Sequence, residues 1–146
     1  MNQRGFATLE VILMVMVIGI LASIAVPRFG NVTAEANTAK IRADLSTIDT
    51  AVAVYYMENG KYPTSTTIDS SNTELKPYLR DIGNIKPPTG SCYIGKDTAE
   101  TVPGTEYTLK EIDSKTKEVQ AVLGDKTAGE FYKGSSSTSG GTGGTT

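Results

Sequence analysis

Glu10 is the residue with most chemistry to explain. It is the only charged side chain between Gly5 and Pro27, inside an apolar run that reads VILMVMVIGILASIAV from Val11 to Val26. With Phe6, Ala7, Thr8 and Leu9 the run is long enough to span a bilayer, which needs roughly 20 residues. An ionisable group in such a segment costs on the order of 2.5–3.5 kcal/mol on insertion scales, so it marks function and requires a partner. Other reactive groups are sparse. The chain has no histidine and a single cysteine, Cys92, which removes the commonest general base and the commonest transition-metal ligand. Its many serines and threonines therefore lack the imidazole that usually activates a hydroxyl. No carboxylate pair stands in an apolar context that would single it out as acid or base. No enzymatic activity is expected, and no catalytic residue, cofactor or metal is assigned. Cys92 cannot close an intrachain disulfide and reads as a small, half-buried hydrophobe.

The order of segments at the N-terminus is the reverse of a secretory signal peptide, in which the small-residue cleavage site follows the apolar core. Here the hydrophilic Met1-Asn2-Gln3-Arg4-Gly5 stands directly before the apolar run, so cleavage after Gly5 leaves that run on the mature protein. The stretch Gly5-Phe6-Ala7-Thr8-Leu9-Glu10-Val11, followed by an apolar helix and Pro27, resembles the class III signal of type IV pilins and type II secretion pseudopilins. That resemblance implies cleavage after Gly5 by a membrane prepilin peptidase, N-methylation of the new N-terminal Phe6, and an assembly role for Glu10 as the fifth mature residue. A common family version has Thr-Leu immediately after the phenylalanine, whereas this chain inserts Ala7 and keeps the spacing from Phe6 to Glu10.

That spacing has a physical reason of its own. Cleavage creates an α-amine on Phe6, and four residues of α-helix rise only about 6 Å, so Glu10 meets a neighbouring subunit's amine when helices pack side by side with an axial stagger. At 4 Å and an effective dielectric near 20 the attraction is about 4 kcal/mol, which offsets much of the insertion cost without being net stability. A misplaced subunit leaves both charges unpaired, so Glu10 is expected to select register during polymerisation. The plainer alternative is a glutamate snorkelling to the interface. Gly19 and Pro27 stand where the resembling family carries a glycine and a proline that bracket a segment often unwound in the filament. Proline removes a donor and clashes with the preceding turn, so a kink is expected near Ala22 and Ser23. Arg4 and Arg28 flank the run almost symmetrically, so orientation rests on the processing signal rather than on charge.

Beyond Pro27, Ile41, Leu45, Ile48, Val52 and Tyr55 recur at alternating spacings of four and three, one amphipathic stripe expected to pack on the chain's own head. Alanines at 34, 36, 39, 43, 51 and 53 favour helix, and Asn59-Gly60 supplies a stop. An uninterrupted helix from Phe6 to Glu58 would be about 80 Å long, with Gly30-Asn31 the expected interruption. The turn Asn59-Gly60-Lys61-Tyr62-Pro63-Thr64 resembles the segment after the long helix of major pseudopilins, with Tyr62 packed on the helix end. A loop over 64–73 and a short helix over 74–82 follow. Strands are expected from Cys92 to Ile94, from Glu106 to Ile112 and from Lys117 to Leu123 as a hairpin, and from Glu130 to Lys133. The major pseudopilins resemble one another in a calcium-binding C-terminal loop. Asp97, Glu100 and Glu106, or Asp125 and Glu130, could supply oxygens, but they do not align with that loop.

The expected fold is therefore α+β and pilin-like: a long N-terminal α-helix, membrane-spanning in its first half, packed against a small antiparallel β-sheet head. Its parts are a leader (1–5), a transmembrane and polymerisation helix (6–28), a head including the second half of the helix (29–133) and a disordered Gly/Ser/Thr tail (134–146). The resemblance implies a structural subunit of a type IV pilus or type II secretion-like pseudopilus. The precursor would be a single-pass protein of the cytoplasmic membrane with its head extracytoplasmic, later in a filament at the cell surface or in the periplasm. Its implied partners are further copies in a homopolymer, prepilin peptidase, an assembly ATPase and a membrane platform protein. Alternatives are a competence pseudopilin for DNA uptake and a membrane-anchored binding domain that never polymerises. Beyond Asn31 the chain carries 12 Lys and Arg against 15 Asp and Glu, so no electrostatic footprint for nucleic acid is present.

Overall fold

The computed structural model describes residues 3–134, with side chains described over 7–23 and 31–134. The chain divides into two units, Met1–Thr33 and Ala34–Thr146, and helix α1 (Gln3–Asn59) contributes to both. Helix continues through Gly30 and Asn31, so the interruption expected there does not occur. One glycine costs a helix interior only about 1 kcal/mol, a deficit that neighbouring helix formers can carry.

In the first unit the large apolar side chains from Leu9 to Leu21 are each 55–64% exposed. They occupy consecutive positions and so cover every face of the helix, the pattern of a helix buried by something other than its own unit. Among the described residues no helix is long and apolar enough to cross a membrane. The expected span, 6–28, extends past the described side chains at both ends. Near the expected kink the Ser23 hydroxyl donates to the Ile20 carbonyl at 2.7 Å, and the backbone stays helical through Pro27.

The second unit is built on the predicted stripe. Ile41, Leu45, Ile48, Val52 and Tyr55 are all buried, joined by Ala51. Fully burying one such large side chain is worth about 1.5–3 kcal/mol, which makes this stripe the chief contribution of α1 to the head. The helix ends as expected: Gly60 takes φ +68°, its N–H donates to the Tyr56 carbonyl at 2.8 Å, and the Asn59 side-chain amide donates to the Tyr55 carbonyl at 3.0 Å.

Against the stripe pack two antiparallel two-stranded sheets rather than one. Strands β1 (Ser91–Cys92) and β2 (Glu100–Thr101) pair with Cys92 opposite Glu100. Strands β3 (Thr108–Asp113) and β4 (Glu118–Val122) form the predicted hairpin, with Leu109 opposite Ala121 and an irregularity between Glu111 and Asp113. Tyr107, Leu109, Ala121 and Leu123 are buried against the helix, as their alternation requires. The α+β expectation holds.

Three expectations fail locally. The segment 74–82 is a series of turns followed by a 3-10 turn at Ile82–Asn84, although Leu75, Leu79 and Ile82 are buried as one apolar face. Pro77 lacks the N–H a helix needs, and Asp81 stands at φ +56°, outside the helical region. The strand expected from Glu130 to Lys133 is replaced by a 3-10 turn at Ala128–Glu130. There the Thr127 hydroxyl and the Glu130 carboxylate form a capping box, which draws the chain into a turn. Lys133 then makes one isolated parallel bridge with Lys96. Gly134, expected to open the tail, is fastened to the head, its N–H donating to the Lys96 carbonyl at 3.1 Å. The rest of the expected tail lies outside the described residues.

Candidate functional site

Glu10 heads a stripe that the helical repeat assembles from local sequence alone. Glu10, Leu13, Met14, Val17 and Ile18, spaced i, i+3, i+4, i+7 and i+8, line one shallow groove of about 380 Å³. Its walls are almost wholly apolar side chains, so a carboxylate there has little protein polarity to lean on. Among the described residues Glu10 takes part in no ion pair. A second helix lying along this stripe would cover the apolar side chains and would meet Glu10 at one level only.

The other predicted assembly residues are placed as follows. Gly5, Phe6 and Pro27 lie within α1, with the Phe6 and Pro27 side chains outside the described residues. Phe6 is four residues from Glu10, a rise of about 6 Å. At Gly19 an added Cβ would meet nothing within 4 Å, so packing inside the subunit does not require glycine at that position.

In the head, polar side chains from α1 fasten the later segments. The Asn37 amide donates to the carbonyls of Thr89 and Ser91 at 3.1 and 2.9 Å, and the Thr38 hydroxyl accepts from the Tyr93 N–H at 2.8 Å. Asp44 accepts from the Tyr107 hydroxyl at 2.7 Å; burial first, and that bond second, push the phenol up out of its ordinary range. Asp49 accepts from the Ala121 N–H on the outer edge of β4 at 2.7 Å. Burial raises its carboxyl above the ordinary aspartate value, opposed by that amide and by the Gln120 side chain. Asp49 lies off the stripe of Ile41, Leu45, Ile48, Val52 and Tyr55, and periodicity gives no hint of this contact, because the partner lies 72 residues away.

Glu74 is the second unforeseen anchor. Its carboxylate accepts from the Thr64 and Ser65 N–H groups, both at 2.8 Å, and from the Tyr55 hydroxyl at 3.2 Å. The Ser65 amide foremost, then Thr64 and Tyr55, hold it below the usual glutamate range against burial, which raises it. Tyr62 packs on the helix end as expected, stacked on Tyr56 with ring centroids 4.4 Å apart.

Three of the five carboxylates considered for calcium are held in ion pairs. Glu100 pairs with Lys96, Asp125 with Lys110, and Glu130 with Lys126; the Lys110 ammonium holds Asp125, and the Lys126 ammonium Glu130, below their ordinary values. Among the described residues no group of three or more His, Cys, Asp or Glu could hold a metal ion. Cys92 is fully buried and free, and burial pushes its thiol up.

Comparison with known proteins finds relatives of two kinds. The chain is 34% identical over 64 residues to Type II secretion system core protein G of Klebsiella michiganensis, covering 44% of this chain and 45% of that protein. It is 35% identical over 64 residues to the protein of the same name from Escherichia coli K12, 44% of each chain. It is 30% identical over 84 residues to Type IV major pilin protein PilE1 of Neisseria gonorrhoeae, 55% of this chain and 51% of that protein. The chain thus spans about half the length of the curated relatives it matches. No family model and no solved structure matches it.

Proposed function

We propose that this chain, a relative of type II secretion pseudopilins and type IV pilins, is the repeating structural subunit of a pilus or type II secretion-like pseudopilus. The observation that carries this reading is the pairing of those relatives with Glu10, the lone charge between Gly5 and Pro27, on a stretch of helix whose apolar side chains from Leu9 to Leu21 are open on every face. In the precursor, residues 6–28 span the cytoplasmic membrane. Prepilin peptidase cuts after Gly5, and Phe6 becomes the N-methylated terminus. An assembly ATPase and a membrane platform protein then move the subunit from bilayer into filament. The apolar helix exchanges lipid for neighbouring helices at little hydrophobic cost, because both surroundings are apolar. Register comes instead from charge: Glu10 of one copy meets the Phe6 amine of the next, and any other stagger strands both. Gly19, which the subunit's own packing does not need, and Pro27 bracket the part of the helix that yields during that exchange.

N-terminal sequencing of mature protein from its host, with electron microscopy of sheared material, tests the reading. The expected result is a chain beginning at methylated Phe6 in filaments, and Glu10→Ala protein that is trimmed but left in the membrane fraction. Mature protein that begins at Met1 and stays monomeric would overturn it and favour the anchored binding domain.

A further inference from the structure

We infer that the head carries a self-complementary docking pair: an acidic, tyrosine-floored groove beside the end of α1 that receives the cationic turn at Lys76 and Arg80 of a second copy. This rests on the polymeric reading above and adds to it the head surfaces that meet. The groove, about 320 Å³, opens between the last turns of α1 and the outer edge of the β3–β4 hairpin, where Val52, Tyr56, Met57, Tyr62, Ile112 and Glu118 line it. Its lips are costly to leave in water: Met57 is 82% exposed and Ile112 54%. Its floor is the stacked Tyr56–Tyr62 pair, whose faces attract a cation. Glu118 belongs to none of the head's salt bridges among the described residues, so an aliphatic side chain ending in a cation satisfies lips, floor and charge together.

The matching group is on the same chain. Lysines 40, 96, 110, 117, 126 and 133 are consumed in ion pairs within the head. Of the cations left, Lys61 adjoins the groove's own Tyr62 and Lys115 stands three residues before its Glu118, while Arg42 lines a separate cleft beside Glu35 and Lys133. Lys86 stands alone between Ile85 and Pro87. Lys76 and Arg80 are exposed, four residues apart, on a segment that turns Leu75, Leu79 and Ile82 into the core, so both cations are open to solvent on one turn. This turn leans on another flank of the same helix end, where Tyr78 bonds Glu58 and meets the Tyr55 ring edge-on. Groove and turn are different patches, so one such joint leaves the turn of one copy and the groove of the other free to receive further copies.

Charge exchange in the full chain tests the pairing, with sedimentable filament from the host as readout and thermal melting of the detergent-solubilised subunit as the folding control. Glu118→Lys and Arg80→Glu are each expected to lower filament yield by roughly fivefold, the scale of one surface ion pair repeated at each joint, with melting unchanged. The double exchange is expected to restore the yield. Tyr56→Ala, tested alongside, should lower it without altering its salt dependence, whereas the charge reversals should flatten that dependence. A filament yield unchanged by either reversal, or single losses that the double exchange leaves unrepaired, would overturn the pairing. Wild-type protein that forms no filament would instead overturn the polymeric reading itself.

Discussion

At the scale of single residues the head is held by carboxylates that each answer backbone donors of another segment. Asp49 closes the edge of β4, and Glu74 gathers two loop amides and a phenol around the helix end. The two differ in electrostatic sign. Burial makes the Asp49 charge costly, whereas donors make the Glu74 charge favourable. Because the folded-state value of Glu74 lies below its ordinary 4.5, its contribution is fully present above that value and is lost as pH falls through the lower folded one. Glu74→Gln, which keeps one acceptor but not the charge, should therefore lower stability by about 1 kcal/mol at pH 7, a modest figure because the group is partly solvated. The gap between variant and wild type should close in strongly acidic buffer, as followed by urea denaturation across pH.

At the scale of elements, the β4 exit shows backbone geometry outranking side-chain pattern. Gly124 and Asp125 both take positive φ, +54° and +67°, and the Leu123 and Lys126 backbones exchange hydrogen bonds at 2.9 and 3.1 Å across them. A two-residue turn of this hand matches the right-handed twist of strands. A Cβ on Gly124 would lie 2.4 Å from the Pro103 carbonyl oxygen, so neither the conformation nor the space admits a side chain. Gly124→Ala is expected to cost roughly 2 kcal/mol or more, seen as a lower denaturation midpoint at unchanged slope.

At the scale of the whole molecule, the end of the head is a clasp. Lys133 pairs with Glu35 at 2.8 Å and lies 5.2 Å from the centre of the Tyr93 ring. On either side of it the Gly95 N–H donates to the Tyr132 carbonyl and the Gly134 N–H to the Lys96 carbonyl. Ending the chain after Gly134 removes only Gly, Ser and Thr residues and should leave the melting temperature unchanged. Ending it after Phe131 removes the whole clasp and should lower that temperature by several degrees, on the order of 4–8 °C per kcal/mol for a head of this size. The same scale governs the first unit, whose uncovered apolar side chains from Leu9 to Leu21 would be covered in the proposed filament.

What the sequence determined by itself has a short period. The stripe from Ile41 to Tyr55, the stop at Asn59-Gly60, the β3–β4 hairpin and the singular position of Glu10 follow from spacings of two to seven residues, which the geometry of helix and strand converts directly into faces. Tertiary structure decided what depends on partners remote in the chain. Asp49 meets the β4 edge, Glu74 the helix end, the small sheet divides in two, and the last described residues fold back onto α1 near its Glu35. A hydrogen bond 72 residues long leaves no periodic trace. Proline in 74–82 and a capping box at Thr127 overrule an apolar pattern, because a missing donor or a satisfied one acts on the backbone, while periodicity records only the side chains.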